Sequence, residues 1–152
     1  MIRRLSDRLV SVDLLDRAGS LLERQIEFRL EGLDKARVGA QLALIRLLDR
    51  NASGAVDALD SSVAPRLPAR LALERRRLRA RALADQDQPD EALELLEGDE
   101  SRDANLLRAD INWRRQAWGQ AAEAFSRLAD DLPSSGLERQ EAALVLNWAV
   151  AA

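Results

Sequence analysis

The sequence predicts an all-α protein built as an α-solenoid of antiparallel helix pairs. Composition is the first reason. The 152 residues are 47% hydrophobic but only 3% aromatic, so the core must be rich in Ala and Leu, which are strong helix formers. The second reason is a recurring spacing, in which an alanine is followed by another twelve residues later and by a large apolar residue four residues after that. The three sets are Ala43/Ala55/Leu59, Ala80/Ala92/Leu96 and Ala109/Ala121/Phe125. Because they recur at periods of 37 and 29 residues, they indicate one helical hairpin repeated three times.

The first two helices are predicted from a cap and a periodic apolar stripe. Ser11 can cap a helix over residues 12–31, in which apolar side chains recur every three or four positions. Gly32 is a typical stop for this helix, because glycine readily adopts the backbone conformation that ends one. The second helix is predicted from Asp34 to Asp49.

Turn residues delimit the next two helices. Ser53 can cap a short third helix that reaches Ser61. Pro65 and Pro68 then interrupt the chain, because proline lacks the amide N–H that a helix interior needs. The fourth helix is predicted over residues 69–84 and is the most highly charged of the set.

The second half of the chain follows the same rules. Pro89 lies near the first position of its helix, where the missing amide N–H is tolerated. The predicted helices extend from Pro89 to Gly98, from Ser101 or Asp103 to Arg115, from Trp118 to a point before Pro133, and over residues 137–152. The helices pair at residues 36–61, 71–97 and 103–131, and the helices over 12–31 and 137–152 are left single.

Missing residue types exclude most catalytic chemistry. The chain has no Cys, His or Tyr, and so lacks the commonest general base and zinc ligand. We therefore expect no enzymatic activity, no metal and no cofactor. The net charge of −3 gives no overall attraction to nucleic acid. No apolar stretch reaches the roughly 20 residues of a membrane span. A cytoplasmic location is expected, and a single lysine, Lys35, among many arginines suggests a GC-rich bacterial genome.

Two segments resemble the tetratricopeptide repeat. This repeat is usually about 34 residues long, with small residues inside both helices and an Ala-x3-Phe step in the second. Residues 118–125, Trp-Gly-Gln-Ala-Ala-Glu-Ala-Phe, are similar to its second helix, and Pro133 stands where its closing proline would. Residues 73–98 match next best. The chain departs from the family pattern because no Trp opens a first helix and alanine replaces the usual glycine there.

The resemblance implies a right-handed α-solenoid and a binding function. The implied repeats span approximately residues 36–68, 69–100 and 102–133, with half a repeat at each end. In such proteins the first helix of each pair lines a concave groove, which implies a non-catalytic scaffold for a protein or peptide partner. The implied groove residues are Arg77, Arg81, Asp110, Trp113, Arg114 and Asn147. Arginine binds carboxylates with a two-pronged fork and Trp is a flat apolar anchor, so an acidic or C-terminal segment would fit. The alternative interpretation is a solvated helix face with internal ion pairs.

The helix over residues 137–152 predicts a missing neighbour. It is apolar on more than one face, whereas the end of a solenoid needs a polar cap. The alanine expected twelve residues after Ala143 would lie beyond the last residue. We therefore expect a fragment of a longer solenoid, or a homodimer formed through this helix. The alternatives to a binding scaffold are a structural or dimerisation segment of a larger protein and a regulatory helical domain of a multidomain enzyme.

Overall fold

The computed structural model describes residues 15, 18–24, 26–27, 30–130 and 150. The chain divides into two compact units, the N-terminal unit (residues 1–86) and the C-terminal unit (residues 87–152). The described ranges contain helices and no strand, which confirms the all-α prediction. The delimited helices are Gly32–Leu48 (α1), Ala52–Asp60 (α2), Ala69–Asp85 (α3), Pro89–Leu96 (α4), Arg102–Arg114 (α5) and Trp118–Asp130 (α6).

Most of these helix ends lie close to their predicted positions, but two are formed differently. Gly32, with a φ of 55°, is the first residue of α1 and does not end the preceding helix. The cap of α2 is Asn51 and not Ser53, because the Asn51 side chain accepts a hydrogen bond from the Gly54 N–H at 2.8 Å. Ser101 is confirmed as the cap of α5.

The two predicted single helices are described only in part. Residues 15, 18–24 and 26–27 are helical, which confirms part of the prediction over 12–31. Of the predicted helix over 137–152, Val150 is the described residue, and it is helical and exposed. Leu30 and Glu31, at the end of the first predicted range, are not helical, and the rest of both predictions lies outside the described residues.

One backbone geometry recurs in the turns that follow α1, α3 and α5. Arg50, Asp87 and Gln116 have φ angles of 58°, 62° and 61°, and they are separated by the same 37 and 29 residues as the alanine sets. A left-handed residue of this kind commonly ends a helix. The hydrogen bonds at Arg50 and Gln116 also agree. Each N–H bonds the carbonyl three residues earlier at 3.1 Å, and the following N–H bonds the carbonyl five residues earlier at 2.8 and 2.9 Å, respectively.

The core of the N-terminal unit confirms the first alanine set as a packing site. Ala43, Ala55 and Leu59 belong to one buried cluster, and each is at most 1% exposed. Ile26, from the helical residues before α1, and Ala82, from α3, lie in the same cluster. The small alanine side chains let these helices approach closely, since a larger residue would need space that a close-packed core lacks.

The core of the C-terminal unit confirms the third set. Ala109 of α5 clusters with Ala121 and Phe125 of α6, and Leu128 extends the cluster along α6. The members of the middle set, Ala80, Ala92 and Leu96, are all fully buried. The spacing found in the sequence therefore marks buried positions in both units.

Candidate functional site

A buried arginine joins the helices of the N-terminal unit. Arg75 lies on α3 between Leu71 and Ala82, on the side of the helix that faces the core, and is only 9% exposed. Its guanidinium donates hydrogen bonds of 2.6 Å to the carbonyl oxygens of Ala36 in α1 and Leu59 in α2. One side chain thus ties α3 to both of the other helices.

Ser62 and Gly39 complete the arrangement around this arginine. The Ser62 Oγ accepts a hydrogen bond from Arg75 at 3.0 Å and donates one to the Ala58 carbonyl oxygen at 2.6 Å. Gly39 of α1 leaves space for Ser62, because a Cβ at this position would lie 1.7 Å from the Ser62 Oγ. We call Arg75, Ser62, Gly39 and the carbonyl groups that they contact the Arg75 cluster.

The charge of Arg75 is held in an unfavourable environment. Burial is the largest cause that lowers the pKa of Arg75 from its ordinary value; the neighbouring Arg79 lowers it further, and Asp60 raises it. Burial acts in this direction because removing water destabilises a cation. The guanidinium nevertheless keeps its proton at neutral pH, since arginine loses it only in strong base. Hydrogen bonds from a charged donor offset part of this cost, so the cluster is a structural device.

A second arginine makes a similar contact in the C-terminal unit. Arg108 on α5 donates hydrogen bonds to the carbonyl oxygen of Leu96, to that of Asp99 at 2.8 Å and to the Asn105 Oδ1 at 2.7 Å. Leu96 and Leu59 are the corresponding members of their alanine sets. The same carbonyl position, at the end of a short helix, is therefore bound by a guanidinium in both units. A cation is favourable there because the carboxyl end of a helix carries partial negative charge.

Neither arginine contact was predicted from the sequence. The available signal was the position of Arg75 between Leu71 and Ala82, because a charge on an otherwise apolar stripe needs hydrogen-bond partners. The residue is one of five arginines between positions 75 and 81, and the run as a whole resembles a solvated face. Only tertiary contacts distinguish the buried arginine from its neighbours.

The predicted groove residues of the N-terminal unit lie on α3. Arg81 is 51% exposed and pairs with Asp85, one helical turn later, with an N–O distance of 3.6 Å. Arg77 is half-buried and its Nε donates a hydrogen bond to the Leu73 carbonyl oxygen at 3.4 Å. Arg81 therefore presents the more accessible cation.

The predicted groove residues of the C-terminal unit lie on α5. Arg114 and Asp110 form a two-pronged ion pair with N–O distances of 2.8 and 3.2 Å. Trp113 is half-buried, in edge-to-face contact with Trp118 at 5.1 Å and Phe125 at 6.1 Å between ring centroids. The accessible indole of this aromatic group is Trp118, which is 46% exposed. Asn147, the last predicted groove residue, lies outside the described residues.

The described part of the molecule is a helical protein with recurring helix–turn–helix geometry and charged helix faces. No group of three or more acidic side chains in the described ranges is placed to hold a metal ion. Among the same residues, no helix combines the length and apolar character needed to cross a membrane. Comparisons with protein-family models, curated proteins and solved structures find no match to the chain.

Proposed function

We propose that this chain is a tetratricopeptide-like α-solenoid that acts as a non-catalytic scaffold for a protein or peptide partner. The observation that carries the proposal is the recurrence of one turn geometry at Arg50, Asp87 and Gln116, in step with three buried alanine sets. Repetition of a helical pair at a fixed spacing is the basis of solenoid architecture. Such proteins act through extended helix faces that bind other molecules.

A carbonyl position that binds an arginine in both units adds support for a repeated helical unit. The carbonyl oxygens of Leu59 and Leu96 occupy the same position in successive alanine sets, and each accepts a hydrogen bond from a guanidinium of the next long helix. The acceptor positions match but the donor positions do not, since Arg75 lies 16 residues after Leu59 and Arg108 lies 12 residues after Leu96. The support therefore rests on the shared carbonyl position.

The partner proposed here is an acidic peptide segment or a C-terminal carboxylate. Arg81 and Arg114 keep about half of their side chains exposed, and each is held by an ion pair within its own helix. Such exposed pairs contribute only about 0.3–0.5 kcal/mol, so a ligand carboxylate can replace the internal partner at small cost. Arg77 belongs to the same proposed binding face on α3, and Asp110 and the half-buried Trp113 belong to the one on α5. Asn147 stays a member of the proposal from the sequence alone.

A peptide-display selection tests this function. The purified chain would be used to select from a library of peptides with free C-termini, and acidic sequences should be enriched. Replacing both arginines, as Arg81→Glu/Arg114→Glu, should weaken binding of a selected peptide by about tenfold or more, since hydrogen bonds to charged groups contribute about 1.5–3 kcal/mol each. The dissociation constants would be measured by calorimetry.

A charge-matched control separates the groove from a general electrostatic effect. The variant Arg24→Glu/Arg102→Glu makes the same charge change at one exposed arginine in each unit, outside the proposed groove. It should leave peptide binding within about twofold of the starting value, because exposed charges farther apart than the Debye length, about 8 Å at physiological ionic strength, are largely screened. A selection without enriched sequences, or equal losses in both variants, would contradict the proposed function.

A further inference from the structure

The two units carry opposite charge. Residues 1–86 contain 17 basic and 12 acidic side chains, whereas residues 87–152 contain 6 basic and 14 acidic side chains. The formal charges are therefore +5 and −8, although the whole chain carries only −3. An asymmetry of this size indicates that each unit attracts a different kind of surface.

The opposite charges are concentrated in two neighbouring stretches of sequence. Residues 66–81 contain seven arginines and one acid, and residues 87–100 contain seven acids and no base. Arg66 and Arg70 in the first stretch are exposed, and no other described residue forms a hydrogen bond or ion pair with their guanidinium groups. We call these two residues the basic surface.

The second stretch has a corresponding set of accessible acids. Glu91 and Glu94 lie one turn apart on α4, and Glu100 follows in the connection to α5. All three are exposed, and within the described ranges none of their carboxylates takes part in an ion pair or hydrogen bond. We call these three residues the acidic surface.

We propose that two copies of this chain associate, with the basic surface of one copy against the acidic surface of the other. A foreign cationic or anionic partner would neutralise only one of these surfaces. A second copy of the chain presents both surfaces, so each charged surface of one copy finds its complement on the other. Complementary charges of this kind favour the correct orientation and speed association more than they strengthen it.

The first test is the salt dependence of self-association, measured by sedimentation velocity over a range of protein concentrations. The unmodified chain should form dimers at about 50 mM NaCl. The dissociation constant of the dimer should be at least about tenfold higher at about 500 mM, because salt screens exposed charges. An apolar contact, such as one through residues 137–152, would be unchanged or strengthened by salt. That result, or a monomer at every concentration, would overturn the proposal.

A charge-swap experiment then identifies the surfaces. The variant Arg66→Glu/Arg70→Glu reverses the basic surface, and Glu94→Arg/Glu100→Arg reverses most of the acidic one. Each variant alone should be monomeric, because like charges then face each other. An equimolar mixture should form a one-to-one complex, since each reversed surface meets the surface that it now complements. The acidic-surface variant avoids the first turn of α4, where acids stabilise the helix.

Circular dichroism would verify that each variant is folded before mixing. The control Arg24→Glu/Arg50→Glu changes the same number of charges in the N-terminal unit, at exposed residues outside the basic surface. The association constant of its dimer should be at least about half that of the unmodified chain. The proposed contact would be overturned if the two reversed variants failed to associate with each other, or if the control lost dimerisation to the same extent as the reversed variants.

Discussion

Replacing Arg75 should destabilise the N-terminal unit more than any other single arginine substitution in it. Arg75→Met keeps the length and apolar stem of the side chain but removes the donors to Ala36, Leu59 and Ser62. Hydrogen bonds from charged groups contribute about 1.5–3 kcal/mol each. Part of their loss is offset, because the variant no longer has to bury a cation. Each buried carbonyl group left without its donor costs about 1–3 kcal/mol, and we expect the free energy of unfolding to fall by at least about 3 kcal/mol in total.

Urea unfolding followed by circular dichroism measures this loss. The matched control is Arg70→Met on the same helix, where the side chain is exposed; it should change the free energy of unfolding by less than about 0.5 kcal/mol. Arg75→Lys should recover only part of the stability, because a single ammonium group lacks the two-pronged reach of guanidinium. If Arg75→Met unfolds within about 1 kcal/mol of the unmodified chain, the Arg75 cluster does not hold the three helices together.

Three further predictions concern backbone space, turn conformation and pH. Gly39→Ala should lower the free energy of unfolding by about 1–3 kcal/mol, since the new Cβ would lie 1.7 Å from the Ser62 Oγ. Gly119→Ala in α6 should raise it by about 0.5–1 kcal/mol, because a Cβ built there meets nothing within 4 Å. Thermal unfolding compares the two variants. Gln116→Gly should raise stability by about 1 kcal/mol in urea titrations because it relieves a positive φ, and unchanged or lower stability would contradict the assigned turn. Because the pKa of Arg75 is lowered in the folded protein, the cost of burying its charge is present at every pH below the folded pKa and is relieved only as the pH rises through that pKa. The stability difference between Arg75→Met and the unmodified chain should therefore be equal at about pH 5 and about pH 9, where arginine stays protonated, and a difference that varies between them would show that another titrating group contributes.

The helix boundaries were largely predictable because they depend on local chemistry. Proline at the start of α4 and the capping serine before α5 act through their own backbone and nearest neighbours, so the sequence reports them directly. Asn51 and Ser53 are both good capping residues, and choosing between them depends on which amide N–H groups the turn leaves free. The turn after α1 makes that choice, which the sequence alone left open.

The buried alanines were predictable for a related reason. A small residue recurring at the same distance on both sides of a turn marks a close helix crossing, and the two sets that lie within one unit each pack in a single cluster. The groove residues were predicted only through the family resemblance. The structure places five of them in ion pairs or contacts within their own unit, as with Arg114 and Asp110, and such contacts occur on helix faces with or without a ligand.

The sequence by itself determined the helical class, the order and ends of most helices, and the positions where alanines are buried. These features follow from short-range propensities and from a spacing that can be counted along the chain. Only the tertiary structure separated Arg75 from the arginines around it and assigned Leu59 and Leu96 as equivalent acceptors. It also placed Trp113 against two aromatic rings, which leaves Trp118 as the accessible indole. The physical reason is that a buried charge is stabilised by partners distant in sequence, here up to 39 residues away, and no local pattern records which carbonyl groups will be within its reach.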